Sequence, residues 1–314
     1  MGFYRDLVNS GKLHDGQDFK TRCAVIDREL GLRDPQMQDA FKHLIMPVDT
    51  VSVNFDKVVL TNDIRVQYEQ FMNEYNHREE LLRIGYPPAN RILLYGASGT
   101  GKTFSLKALS NKLGLCMLYV DIGRALLTGV ADNIRSIFDL AEFLGDGVLL
   151  FFDECDAVAW GRNTSESGKD SARTATNTIF QCLDQMDPHI VFAGATNMQA
   201  RLDTAFVRRF DYLIRFERPT EPLHKLFERF LKPDVKVVDD VKPSTRSIIE
   251  RRFLQAPDAS YYMIEVAVGK AVKASVLRDE GAFMHTAEFY GFIAQRLRVR
   301  TDTDSEVSDG EVMQ

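Results

Sequence analysis

Cysteine is scarce in this chain, and its placement excludes two classes of protein. The four cysteines, Cys23, Cys116, Cys155 and Cys182, lie far apart, and none forms a C-x-x-C pair. That excludes a disulfide framework and a cysteine zinc site, and it suits thiols packed in a core in a reduced compartment. None of the six histidines makes a metal-ligand pair. Positive charge is also short: 39 lysines and arginines face 45 aspartates and glutamates, for a net charge of −6. No global basic field reaches toward nucleic acid or anionic lipid, so neither nucleic acid nor membrane is an expected partner. No apolar run approaches the ~20 residues that span a bilayer. The first residues hold no hydrophobic leader, and Asp6 stands where a myristoylation signal wants Ser or Thr. The expected location is cytoplasmic. What is present, 45% hydrophobic and 27% charged residues, is the composition of a globular protein.

At 314 residues the chain is long enough for two or more packed units. Residues 1–50 read as an N-terminal segment of short helices, separated by Gly11, Gly16, Gly31 and Pro35, without a chemical motif. Thr61-Asn62-Asp63 then caps a helix whose apolar side is Ile64, Tyr68, Phe71, Tyr75 and Leu82, and which Gly85 and Pro87-Pro88 stop. Strands follow at Arg91–Tyr95, Leu115–Asp121, Val148–Asp153, Ile190–Ala195 and Tyr212–Phe216. Helices separate them, from Lys102, near Asp132–Leu144 and near Ser171–Met186. Strands alternating with helices predict a five-stranded parallel sheet in a three-layer α/β/α sandwich over residues 51–219. After Pro219 only helices are expected, Leu223–Leu231, Ser244–Phe253, Ala259–Arg278 and Thr286–Leu297, giving a small helical domain over 220–298. Residues 299–314 are acidic and poor in apolar groups, and they read as a disordered tail.

The chemistry begins at Gly96-Ala97-Ser98-Gly99-Thr100-Gly101-Lys102-Thr103, which directly follows one of these strands and opens a helix. Glycines let the backbone curl so that successive N–H groups converge on one anion, and the helix adds the positive end of its dipole. In such a phosphate-binding loop Lys102 reaches the β- and γ-phosphates and the Thr103 hydroxyl ligates Mg²⁺. Ala97, Ser98, Gly99, Thr100, Gly101, Lys102, Thr103 and Phe104 are the expected nucleotide contacts. Further along, the apolar run Gly147–Phe152 ends in Asp153-Glu154. Ligands of parallel α/β sheets sit at the carboxyl ends of the strands, so this pair faces the loop. Asp153 is expected on the hydrated Mg²⁺ and Glu154 on the attacking water.

With the loop, Asp153-Glu154, Thr196-Asn197 and Arg208-Arg209-Phe210-Asp211 in this order, the chain resembles an AAA ATPase of the AAA+ superfamily over about residues 51–280. Arg78–Gly85 resembles the lead-in of small bacterial and phage members. The resemblance implies a five-stranded P-loop sandwich followed by a helical lid, with ATP and Mg²⁺ bound between them and at a subunit interface. It implies that Asn197 holds the attacking water and that Arg208 and Arg209 are arginine fingers given to the neighbouring subunit. The adjacency of the two arginines, where many members have two residues between, leaves open which one reaches the phosphate. Arg173 resembles a further inter-subunit arginine. A homo-oligomer, most often a hexameric ring, is the implied assembly, acting on an unknown protein substrate or adaptor.

Two departures narrow the expectation. Ala125–Val130, about where threading members carry an aromatic pore loop, holds no aromatic, and Leu126 and Leu127 serve equally well as core. Ala256–Ser260 lacks the arginine that many AAA+ groups place at the start of the lid, an absence the AAA family shares. Trp160–Lys169 reads either as a pore-lining loop or as a plain surface loop, and Val58 and Val59 either pack on adenine or belong to the core. The leading reading is a ring-forming ATPase that remodels or disassembles a protein. The alternative is an AAA+ ATPase acting on nucleic acid, such as a helicase loader or a transposition or replication regulator.

Overall fold

Short β-rich apolar runs form the parallel strands that the pattern predicts. β2 (Arg91–Gly96), β3 (Cys116–Val120), β4 (Val148–Phe152), β5 (Val191–Thr196) and β6 (Tyr212–Phe216) pair in parallel. A computed structural model of the chain describes residues 3–13, 19–55, 58–126, 129–156, 169–198, 202 and 204–308. The sheet has one strand more than expected. β1 (Ile45–Pro47) runs antiparallel along β3, so six strands lie in the order β1-β3-β4-β5-β2-β6. Three residues ending in proline carry no readable alternation, and proline is tolerated there because the strand is an edge.

The chain divides into two compact units, residues 1–96 with 102–216, and residues 97–101 with 217–314. In the first, β4 is buried along its whole length, as a strand covered on both faces must be. One face is covered by α4 (Asn62–Asn76) and α6 (Lys102–Leu113), which bury Tyr68, Phe71, Leu106 and Leu109 against Ile92, Leu94 and Phe151. Val58 joins this core. The Thr61 hydroxyl caps α4 by accepting from the Ile64 N–H at 3.4 Å. The helix stops at His77, and α5 (Arg78–Arg83) follows as a separate turn, so Leu82 leaves the predicted apolar stripe.

The other face is covered by α8 (Val130–Leu144), α9 (Lys169–Gln185) and the helices of the first fifty residues, which share the unit and its core. α1 (Phe3–Asn9) buries Phe3, Tyr4 and Leu7. α2 (Phe19–Arg33) runs straight through Gly31, and α3 (Pro35–His43) is capped by Asp34. The Asp146 carboxylate fastens this layer: Arg78 pairs with it at 2.8 Å, Arg5 at 2.9 Å and the Tyr75 hydroxyl at 3.2 Å. α7 (Ile122–Ala125) is a single turn. Ala125 is buried and Leu126 packs on the core, while Leu127 and Thr128 lie outside the described residues.

The second unit is helical, with α11 (Leu223–Leu226), a 3₁₀ turn (Phe227–Phe230), α12 (Pro243–Gln255), α13 (Tyr261–Leu277) and α14 (Thr286–Ser308). Its core gathers Leu223, Phe253, Ile264, Phe289 and Tyr290. Strands do not stop at Pro219 as expected: β7 (Lys236–Val238) pairs in parallel with β8 (Phe283–His285). Helical backbone also runs through residues 299–308 of the segment read as a tail, since each residue added to a formed helix closes one more hydrogen bond. Among the described residues, no helix is long and apolar enough to cross a membrane.

Candidate functional site

The phosphate-loop sequence makes its turn with unusual backbone. Gly96 has φ +140° and Gly101 has φ +100°, values that side-chain-bearing residues resist. At Gly96 a side chain is also excluded by space, because a Cβ would lie 2.0 Å from the Phe216 carbonyl oxygen on the paired strand. Within the loop the buried Thr100 donates its hydroxyl to the Ala97 carbonyl at 2.8 Å. Ser98 is exposed, and Phe104, in the first turn of α6, leaves 52% of its surface open.

Lys102 is the first residue of α6 and only 7% exposed. Its ammonium donates to the Gly96 carbonyl at 2.8 Å and to Asn197 Oδ1 at 2.7 Å. Burial pulls the Lys102 pKa below the ordinary lysine value, and the carboxylates of Asp153 and Asp156 pull the other way. The Thr103 hydroxyl donates to Asp153 Oδ2 at 3.4 Å. Three segments remote in sequence are thus brought together: Lys102 and Thr103 from α6, Asp153 beyond β4 and Asn197 beyond β5. Parallel pairing of β4 with β5 and of β5 with β2 sets the strand ends side by side.

Glu154 is exposed and holds φ +50°, left-handed for a non-glycine residue, with its N–H donating to Asp153 Oδ1 at 2.9 Å. Such backbone costs on the order of 1–3 kcal/mol and persists where surrounding structure imposes it. The neighbouring Cys155 N–H is fixed to the Ala195 carbonyl at 2.9 Å, which holds the turn on β5. The result presents the Glu154 carboxylate to solvent beside Asp153.

Two contributors escape sequence reading. Asp156 accepts the Thr196 hydroxyl at 2.8 Å, and that hydroxyl accepts the Met198 N–H at 3.0 Å. The pair frames Asn197 from both sides. In the β3–β4 register Tyr119 sits opposite Phe151, two residues before Asp153, and burial together with Asp153 and Glu154 raises its phenol pKa. Strand alternation from Phe151 is the signal that would have found it.

The two arginines differ in setting. Arg208 is exposed, whereas Arg209 is held by Asp184 through paired hydrogen bonds of 2.9 Å. The Arg173 side chain and residues 157–168, with Trp160, lie outside the described residues. The oxygen donors fit a hard cation: the Thr103 hydroxyl and the Asp153 carboxylate converge at the first turn of α6. Among the described residues, no cluster of three or more His, Cys, Asp or Glu forms a metal cage. Mg²⁺ typically takes one or two protein ligands and fills its sphere with phosphate oxygens and water.

Residues 92–218 match the family described as "ATPase family associated with various cellular activities (AAA)". An uncharacterized AAA family ATPase, y4kL, of Sinorhizobium fredii is 30% identical over 210 residues, covering 66% of this chain and 60% of that protein. A proteasome-activating nucleotidase of Methanosarcina mazei is 29% identical over 196 residues, covering 59% and 46%. The 26S proteasome regulatory subunit 7 of Caenorhabditis elegans is 36% identical over 153 residues, covering 46% and 34%. The chain spans about half the length of the curated relatives it matches.

Proposed function

This chain carries an AAA-family ATPase domain, and from that premise we propose that it binds ATP with Mg²⁺ and hydrolyses it to ADP and phosphate. The observation that carries the proposal is the cluster of the Lys102 ammonium, the Asn197 amide and the Thr103–Asp153 pair at adjoining strand ends. Lys102 holds the β- and γ-phosphates, with the N–H groups of residues 97–101 around them. Thr103 and Asp153 hold the cation, which when bound offsets the charge of the phosphate oxygens. Glu154 takes the proton of the attacking water, which Asn197 keeps in line with the γ-phosphate. An arginine of the 208–209 pair, supplied by a second copy, stabilises the charge that develops in the transition state.

The work done with this hydrolysis is remodelling or disassembly of a protein substrate by a ring, with six copies the expected number. Two of the relatives carry names that tie them to the proteasome, and the net charge of −6 disfavours nucleic acid. Ala125 and Leu126 packing in the core supports a ring that does not grip its client with an aromatic loop there.

Steady-state phosphate release and light scattering on the purified chain, with and without ATP and Mg²⁺, test the proposal. Hydrolysis accompanied by ATP-dependent assembly, both lost in Lys102→Ala, is the expected result. Hydrolysis that rises only with added DNA, together with salt-dependent DNA binding, would replace the protein-remodelling reading with the nucleic-acid one.

A further inference from the structure

Arg208 and Arg209 stand side by side after α10 (Thr204–Val207), yet the fold treats them in opposite ways. Arg209 is tied down at every donor group. Its Nε and Nη2 reach the two carboxylate oxygens of Asp184, each at 2.9 Å, and its Nη1 donates to the Ala205 carbonyl at 2.7 Å. The guanidinium lies 4.1 Å from the centre of the Phe180 ring. This two-pronged pairing uses the planar fork of arginine, which lysine lacks. Around it, Phe206 stacks on Phe180 at 5.9 Å and meets Phe210 edge-on at 5.0 Å, and Phe210 reaches Phe192 on β5 at 5.8 Å. The turn bearing the two arginines is therefore bolted to α9 and the sheet. Arg208 is exposed, and among the described residues its side chain has no ion-pair partner.

We infer a division of labour within the pair: Arg208 reaches the γ-phosphate bound by a second copy of this chain, and Arg209 is a positioning residue that fixes the turn from which Arg208 projects. The inference rests on the proposed hydrolysis with an arginine in trans. An arginine whose charge already meets a carboxylate must break three hydrogen bonds and leave an aromatic face before it reaches a phosphate. Arg208 breaks none. The inward commitment of Arg209 leaves Arg208 as the exposed arginine of the pair.

The test uses the full chain carrying Arg208→Ala, Arg209→Ala, Asp184→Asn or Asp184→Glu, with turnover, ATP affinity and thermal midpoint measured on each. Wild-type turnover is measured first, and its absence would reject the hydrolysis reading rather than the division. Arg208→Ala is expected to lower kcat on the order of 10³-fold with ATP affinity and thermal midpoint unchanged. Mixing it with Glu154→Gln, which binds ATP and keeps both arginines but lacks the general base, should restore turnover. Asp184→Asn alters no arginine, yet kcat should fall about tenfold at unchanged KM, because the conservative amide keeps shape but loses the charge-assisted fork. Asp184→Glu should retain most activity, and Arg209→Ala combined with Asp184→Asn should be no worse than Arg209→Ala alone, as expected of partners in one bond. If Arg209→Ala does not fold, the Asp184 pair decides. Near-normal turnover in Arg208→Ala, failure of the mixture to recover, or turnover in Asp184→Asn equal to or above wild type would each overturn the division.

Discussion

Asn197→Asp separates the proposed role of this residue from that of an ordinary turn asparagine, because it moves stability and ligand affinity in opposite directions. The substitution preserves shape and replaces the oxygen that now accepts from Lys102 at 2.7 Å with a charged one. Lys102 is nearly buried, and burial holds its pKa down, so a carboxylate partner favours the charged ammonium and with it the fold. Asn197 itself is exposed, which limits the gain to about 1 kcal/mol or less, a rise of about 2–4 °C at most in thermal midpoint. ATP then has to draw the ammonium away from a carboxylate and approach a new negative charge. A hydrogen bond to a charged group is worth about 1.5–3 kcal/mol. Taking the lower end because of exposure, affinity should fall about tenfold. Asn197→Ala is the control: it removes the Asn197 oxygen while the ammonium keeps its bond to the Gly96 carbonyl, and it should lower stability. Titration calorimetry with ATP and thermal melts without nucleotide provide both readings. ATP affinity equal to wild type in the Asp variant, or a melt shifted downward, would refute the reasoning.

Asp146→Ala removes the carboxylate shared by Arg78, Arg5 and Tyr75, leaving the buried Arg78 guanidinium with the Tyr75 carbonyl and ring beside it and no bonded carboxylate among the described residues. An uncompensated buried charge costs about 3–5 kcal/mol; the lower end should drop the thermal midpoint by about 6–12 °C, and an unchanged melt would deny that this cluster fastens the N-terminal helices. Burial raises the thiol of Cys182 to about 11 and that of Cys116 to about 12, from the ordinary 9.0, and pushes Cys155 higher still. Because the folded values lie above the unfolded one, the fold favours the protonated thiols; their contribution is complete below pH 9 and is lost as pH rises toward 11–12. Native protein should accordingly resist iodoacetamide at pH 8 and gain reactivity toward pH 11, followed by mass spectrometry. Fast labelling of Cys116 or Cys182 at pH 8 would contradict the burial.

Much of the site was legible because its requirements are local. A tight anion-binding turn needs glycine where Gly96 and Gly101 stand, and the lysine, the threonine and the flanking strand and helix follow within a few residues. β4 and β5 were legible because burial on both faces writes continuous apolar runs, and β6 because its buried Ile214 and Phe216 alternate with exposed positions. What stayed hidden was set by distant partners. β1 is three residues defined only by its neighbour β3, and β7 finds its partner β8 more than forty positions away. His77 interrupts a helix whose apolar residues continue past it. Nothing local to Arg208-Arg209 reveals that Asp184, at the end of α9, claims the second arginine and not the first. Asp156 looks like any acid in a turn until Thr196 arrives from another strand.

The most direct measurement is phosphate release by Glu154→Gln beside wild type, with ATP binding measured on the same preparations. The strained, exposed turn that presents this carboxylate beside Asp153 predicts that the variant binds ATP as tightly as wild type and releases phosphate at least about a hundredfold more slowly, the low end of what a positioned general base contributes. Release at the wild-type rate with ATP bound would contradict the central claim that this chain hydrolyses ATP through Glu154.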